Sequence, residues 1–360
     1  MSDYSQRVSF KDTLISKLKE NIIFIILYML VIIFILWPII SVAFNSIYIN
    51  DNFSLEAYKE LTLDNTKLLG NSIFIAIAST FFAILISIVI SIYLTQFKSR
   101  MKKFIYSSLL ISMISPPFVA SLAFIILFGR RGLITYNFFH LDFNPYGWQG
   151  IVLMETLGCI PIATLLIVFS IRSIDNRIIQ ASNDLGADDL STLLYVILPM
   201  AKPGIIVASL ICFVTSLSDF GTPIIIGGGF NVLATEAYLN VTGVCNLPLA
   251  SAMCIFLLLP SFLLFILYRK QMSKNKMYSY QSFSDNQLED NKLKLPICIK
   301  IFISFITYLF IIFVILKYLT IIAGGFASFD DGKISFTLDY FKKIDYAKFS
   351  SFERSIIYSF

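Results

Sequence analysis

Seven stretches of predominantly apolar residues, at 21–44, 69–96, 104–128, 148–171, 204–229, 249–268 and 296–323, leave this chain few choices of fold. A hydrocarbon layer about 30 Å thick is crossed by about 20 helical residues, and only a helix satisfies each backbone group of such a stretch without water. The sequence therefore predicts an all-α polytopic membrane protein. An eighth apolar run begins near Ser355. Composition agrees: 57% of the residues are hydrophobic, 14% are charged and the mean hydropathy is +0.79, a balance no water-soluble domain of this size could keep in solution.

Basic residues decide which side each loop faces. Arg7, Lys11, Lys17 and Lys19 precede the first span, Lys98, Arg100, Lys102 and Lys103 fill the loop after the second, and Arg269, Lys270, Lys274 and Lys276 follow the sixth. All three clusters belong in the cytoplasm, which makes this a multi-pass protein of the inner membrane with a cytoplasmic N-terminus. The polar stretch 172–202 then faces the cytoplasm, and Arg130, Arg131 and His140 lie outside. The net charge of +5 sits in these clusters, so it orients the chain in lipid and points to no nucleic-acid partner. Segment 1–20 has no short apolar core with a small-residue cleavage site, so the first span is expected to stay as an anchor. Cys159, Cys212, Cys245, Cys254 and Cys298 form no CxxC pair and no His-flanked set; neither a disulfide framework, a zinc site nor a cofactor is implied.

Shifted by 283 positions, the chain matches itself: Phe53-Ser54-Leu55-Glu56-Ala57-Tyr58-Lys59 falls on Phe336-Thr337-Leu338-Asp339-Tyr340-Phe341-Lys342, and Asn71-Ser72-Ile73-Phe74 on Arg354-Ser355-Ile356-Ile357. Span one maps onto span seven, six crossings later, and an even number of crossings returns the chain to the same side. The repeat is thus parallel. The expected organisation is a cytoplasmic segment 1–20, a first half 21–268, a cytoplasmic linker 269–295, and the start of a second half at 296–360 that is expected to be incomplete here. The alternative is chance similarity between two amphipathic loops.

Within the stretch 172–202 the sequence reads Gln180-Ala181-Ser182-Asn183-Asp184-Leu185-Gly186, then nine residues, then Val196-Ile197-Leu198-Pro199. Asn176 to Ala187 can form a short helix whose small residues Ala181, Ser182 and Gly186 let another surface approach its backbone. Leu198-Pro199 and Lys202-Pro203-Gly204 are expected to break the helical run and turn the chain into span five. The other reading is an ordinary re-entry loop.

This pattern resembles the EAA loop of ABC-importer permeases, with Gln180 for Glu, Ser182 for Ala and Val196 for Ile. The resemblance implies a six-helix importer-permease core and an ATPase-coupling role for Gln180, Ala181, Ser182, Gly186, Val196, Leu198 and Pro199. It also implies three partners besides lipid: ABC ATPase subunits, an extracytoplasmic substrate-binding protein and a second permease half. No GxxxxGK[ST] phosphate loop occurs in the sequence, so ATP hydrolysis is expected on a separate subunit and the chain is read as a transport subunit, not an enzyme.

Span five carries Ser216-Leu217-Ser218-Asp219-Phe220-Gly221-Thr222-Pro223 and then Gly227-Gly228-Gly229, so it should be broken near and beyond the bilayer middle. A carboxylate at such depth costs roughly 2.5–3.5 kcal/mol and is tolerated where it faces protein or water. Asp219, and Glu155 in span four, are either groups of a substrate pathway, with Ser218 and Thr222, or caps and partners within the protein. Ser115-Pro116-Pro117 predicts a kink in span three, lining a pore or only packing. The Ser-Asp-Phe-Gly-Thr-Pro run, followed by Asn231-Val232-Leu233-Ala234-Thr235-Glu236, is similar to the ferric-iron branch of these permeases, and also to the phosphonate and thiamine branches. The resemblance implies ferric iron as substrate, with phosphonate, thiamine or polyamine as alternatives. A secondary transporter is the competing class, since parallel six-helix repeats occur there too.

Overall fold

In the computed structural model of the chain, residues 22–274 and 293–359 are described, apart from 23, 50–51, 65, 98, 131, 139, 141–143, 331–332 and 343–345. Segment 1–20, most of the linker 269–295, Lys98 and Arg131 lie outside the described residues. Among the described residues, seven helices are long and apolar enough to cross a membrane. Contacts divide the chain into two compact units, one made from Met1–Leu69 and Glu236–Leu259 and the other from Gly70–Thr235 and Pro260–Phe360.

The first unit opens with α1 (Phe24–Asn45), whose apolar window has no buried residue. Lipid tails are as apolar as its side chains, so nothing but lipid is needed to satisfy them. A small antiparallel hairpin follows, β1 (Tyr48–Ile49) and β2 (Asn52–Phe53), with Tyr48 opposite Phe53. In α2 (Glu56–Asp64), Ala57 and Leu61 are buried, and Tyr58 reaches the Ser46 hydroxyl at 2.8 Å and packs its ring 6.0 Å from that of Phe256.

The second unit holds most of α3 (Thr66–Gln96), then α4 (Lys102–Ile114) and α5 (Pro117–Phe128). The third stretch long and apolar enough to cross a membrane is Phe118–Tyr136, which moves the expected span 104–128 toward the C-terminus. The break between α4 and α5 is where the proline pair predicts it. Each residue before a proline is pushed out of the helical region, and Ser115 and Pro116 have ψ of 126° and 145°. The unit is centred on α6 (Trp148–Arg172), of which 67% of the apolar window is buried. Serine hydroxyls tie α3 to it: Ser87 donates to the Ile160 carbonyl and Ser91 to that of Thr164, at 3.2 and 3.1 Å.

After the short α7 (Asn176–Asp184) comes the fifth crossing, α8 (Asp189–Leu217). This corrects the expected span 204–229, and Pro199 and Pro203 do not break the helix. One wide turn at Leu193–Ile197, in which the Leu198 N–H reaches back to the Leu193 carbonyl, resets the hydrogen-bond ladder so that Pro199 falls in the first turn of the regular run. Prolines are tolerated there because the missing N–H would have been unpaired anyway. α8 packs antiparallel on α6, with Gly204 meeting Ser170, Cys212 meeting Cys159 and Ser216 meeting Glu155. A Cβ on Gly204 would collide with the Ser170 side chain, and Cys159 and Cys212 exchange S–H···O contacts at 3.8 and 3.9 Å. Without hydrophobic pull between helices, such close backbone approach supplies the attraction.

The chain then forms α9 (Gly221–Ile226), α10 (Leu233–Leu239), α11 (Leu247–Lys274) and α12 (Ile297–Phe326). A second hairpin, β3 (Ala327–Asp330) with β4 (Lys333–Phe336), leads into α13 (Asp339–Lys342). The first hairpin is echoed in detail: Ser54 Oγ accepts from the Glu56 N–H at 3.1 Å, and 283 positions later Thr337 Oγ1 accepts from the Asp339 N–H at 3.1 Å. The helix at the described C-terminal end, α14 (Tyr346–Ser359), starts upstream of the expected Ser355.

Candidate functional site

Two polar places stand out in the second unit: the corner between α6 and α8, and a cavity among the helices. At the corner, Asp175 caps α7 by accepting from the Arg177 N–H at 2.9 Å. The helix stops at Asp184, short of the expected Ala187, because Gly186 takes a left-handed φ of +84°. The Gly186 N–H then reaches the Asn183 carbonyl at 2.9 Å and the Ala187 N–H that of Ser182 at 3.1 Å, which is the hydrogen-bond pair of a glycine-terminated helix.

Ile179 is the buried anchor of α7, whereas Gln180, Ala181, Leu185 and Gly186 are exposed. Ser182 is not part of that open face. Thr192, fully buried at the start of α8, donates to Asn183 Oδ1 at 3.2 Å, so at 3.0 Å the Ser182 hydroxyl is left to donate to Thr192. Of the later positions, Val196 and Leu198 are half-buried and Pro199 is exposed. Leu185, 89% exposed, was not singled out from the sequence, although an apolar residue just before a helix-ending glycine is the available signal. The last residues of the linker join the corner: the Lys294 N–H bonds Asp189 Oδ2 at 2.7 Å, with Leu293 and Leu295 buried on either side.

The cavity has a volume of about 480 Å³ and is walled by α4, α5, α6, α8, α9 and α12 and by the two helix breaks. Glu155, Ser218, Asp219 and Thr222 all line it, so the four pathway candidates do converge. Asp219 sits in the break after α8 and accepts from the N–H groups of Gly221 and Thr222 at 2.8 and 3.2 Å and from the Thr222 hydroxyl at 2.6 Å. It therefore caps α9 while facing the cavity. Glu155, 6% exposed, takes the Ser216 hydroxyl on Oε2, and Ser79 of α3 donates to Ser216 at 2.9 Å, which makes a relay across three helices. Glu155 Oε1 has no hydrogen-bond partner.

Sequence reasoning passed over Lys317 of α12, which also lines the cavity at 5% exposure. Its Nζ bonds Ser112 Oγ at 3.2 Å and lies 4.5 Å from the centre of the Tyr318 ring. The signal was there: an ammonium deep inside a 30-residue apolar helix raises the same question as Asp219. Ser115 lines the cavity at the α4–α5 break.

The family model described as binding-protein-dependent transport system inner membrane component matches residues 83–275 of the 360. The chain belongs to this family. The match covers α6, the α7–α8 corner, the break after α8 and all of α11, and the chain is a multi-pass inner-membrane component of such a transport system. It is 27% identical over 311 residues to the ferric transport system permease protein FbpB of Actinobacillus pleuropneumoniae, covering 83% of this chain and 44% of that protein. The chain thus spans about half the length of its ferric-transport relatives. It is 25% identical over 241 residues to the putative 2-aminoethylphosphonate transport system permease protein PhnU of Salmonella typhi, covering 64% and 83%. Among solved structures, a chain of a bacterial ABC transporter involved in alginate import superposes with a TM-score of 0.62 at 15% identity, over 74% of this chain and 99% of that one, which shows a shared permease fold.

Proposed function

We propose that this chain forms the substrate pathway of an ATP-driven importer, with the α7–α8 corner as the handle through which separate ABC ATPase subunits move it. The observation that carries this reading is the open face Gln180, Ala181, Leu185 and Gly186 on a helix joined to the fifth crossing by a turn and a continuous helical run. A force on α7 reaches the cavity wall through α8, to which α7 is tied by the hydrogen bonds of Ser182 and Asn183 with Thr192. ATP closes the nucleotide-binding subunits, their surfaces draw two such handles together, and the transmembrane halves rock between inward-facing and outward-facing states. The second handle belongs to the second permease half, whose beginning is read in residues 296–360. An extracytoplasmic binding protein delivers substrate on the opposite face, and the N-terminus and linker 269–295 lie in the cytoplasm. Hydrolysis belongs to the partner, and the chain itself is no enzyme.

The substrate reading is ferric iron, supported by the FbpB relatives. A second reading, an organic phosphonate, is supported by the PhnU relative and by the ammonium of Lys317 on the cavity wall, a group that favours anions over bare cations. Uptake of labelled ferric iron and of labelled 2-aminoethylphosphonate, in cells with and without the partner ATPase, tests both. ATPase-dependent uptake of one supports the importer and names its substrate. Undiminished uptake after ATPase loss would instead mark a secondary transporter.

A further inference from the structure

The polar groups of the cavity are unequally satisfied. Asp219 is occupied by three donors and Ser216 by the relay from Ser79 to Glu155. Two groups have capacity left. Lys317 carries three N–H donors, of which one is used on Ser112, and among the described residues it makes no ion pair. Glu155 Oε1 is buried and unpartnered. A buried charge is costly unless paired, and a buried acceptor is costly unless bonded. Each of these groups lines a cavity large enough for a small organic molecule, and they reach it from different helices, α12 and α6, with Phe310, Phe313 and Leu157 as apolar wall.

We propose that the cavity binds a small zwitterion, its anionic group on Lys317 and its ammonium on Glu155. This rests on the reading of the cavity as substrate pathway and takes the phosphonate side of the two substrate readings, against ferric iron. A bare cation would meet the Lys317 ammonium, and a bare anion would leave Glu155 Oε1 unpaired. A molecule with both groups satisfies both, which assigns Lys317, from the start of the second repeat, to substrate selection by the first half.

The test is calorimetric titration of the full chain in lipid nanodiscs with three probes: O-phosphoethanolamine, inorganic phosphate and 1,4-diaminobutane. The expected result is that O-phosphoethanolamine binds most tightly, that Lys317→Met weakens it at least tenfold while Lys317→Arg keeps it within about threefold, and that Glu155→Gln weakens O-phosphoethanolamine but leaves phosphate unchanged. Glu155→Gln keeps the shape of the wall and Lys317→Arg keeps its charge, so a folding defect in Lys317→Met leaves the proposal testable. Preference for the diamine, no binding of either anion-bearing probe at millimolar concentration, or indifference to Lys317→Met would each overturn it. Co-purification of the chain with its ATPase reads the importer proposal separately: a chain that binds the zwitterion but no ATPase sinks that reading alone, and the converse sinks this one alone.

Discussion

The α7–α8 corner and the cavity are both polar places in an apolar molecule, and they handle their polar groups in opposite ways. At the corner, Ser182, Asn183 and Thr192 satisfy one another across nine or ten residues, and the helix closes its own carbonyls on Gly186. In the cavity, the bonds join residues far apart in the chain, Ser79 to Ser216 across 137 positions and Lys317 to Ser112 across 205, and some polar atoms are left over. The first is a self-contained handle that keeps its shape while something pushes on it. The second exists only when α3, α4, α6, α8 and α12 have assembled, and its spare bonding capacity suits a guest that comes and goes.

Damage to the handle should abolish work without harming the fold. Gly186→Asp puts a side chain on a φ of +84° with nothing within 4 Å to clash, so membrane insertion should stay intact while a helix end is strained and a charge is added to the open face. Uptake and ATPase co-purification are expected to fall at least tenfold, and unchanged values would erase the distinction between the two regions. Damage to the cavity should show in stability first. Ser216→Ala removes the hydroxyl donor on Glu155 Oε2 and breaks the relay from Ser79, and is expected to cost about 1–3 kcal/mol in a denaturant melt. Combining it with Glu155→Met should recover most of that loss, because the stranded carboxylate is gone.

Smaller effects sharpen the contrast. Asp219→Ala removes the cap of α9, a loss of about 0.5–2 kcal/mol with the corner untouched. Thr192→Val cuts the tie between α7 and α8 and should cost about 0.5–1.5 kcal/mol, read as faster amide exchange confined to α7. Equal exchange in the cavity helices would mean that the corner is not self-contained.

The same contrast explains what could be read beforehand. Asp175, the small residues of α7 and Gly186 act on neighbours in sequence, so the short helix between crossings four and five was legible, three residues at its end aside. That the chain has seven crossings was legible because hydropathy needs no partner, although the bounds of the third and fifth were not. Pro199 misled because a single wide turn places it in the first turn of the regular run, and nothing local announces which register the ladder will take; Pro203 sits inside α8 itself. Asp219 and Glu155 could be flagged by cost alone, but not their partners: the Ser79 relay and the Lys317 contact depend on which helices pack, information spread over two hundred residues.

The most direct test of the central claim is site-specific cross-linking of the open face to the ATPase in native membranes. With Leu185→Cys and a short bifunctional thiol reagent, the account predicts an adduct containing the ATPase subunit that shifts in yield between ATP-bound and nucleotide-free states, and none from Phe53→Cys in the first hairpin. Absence of that adduct, or an equal yield from the hairpin position, would contradict it.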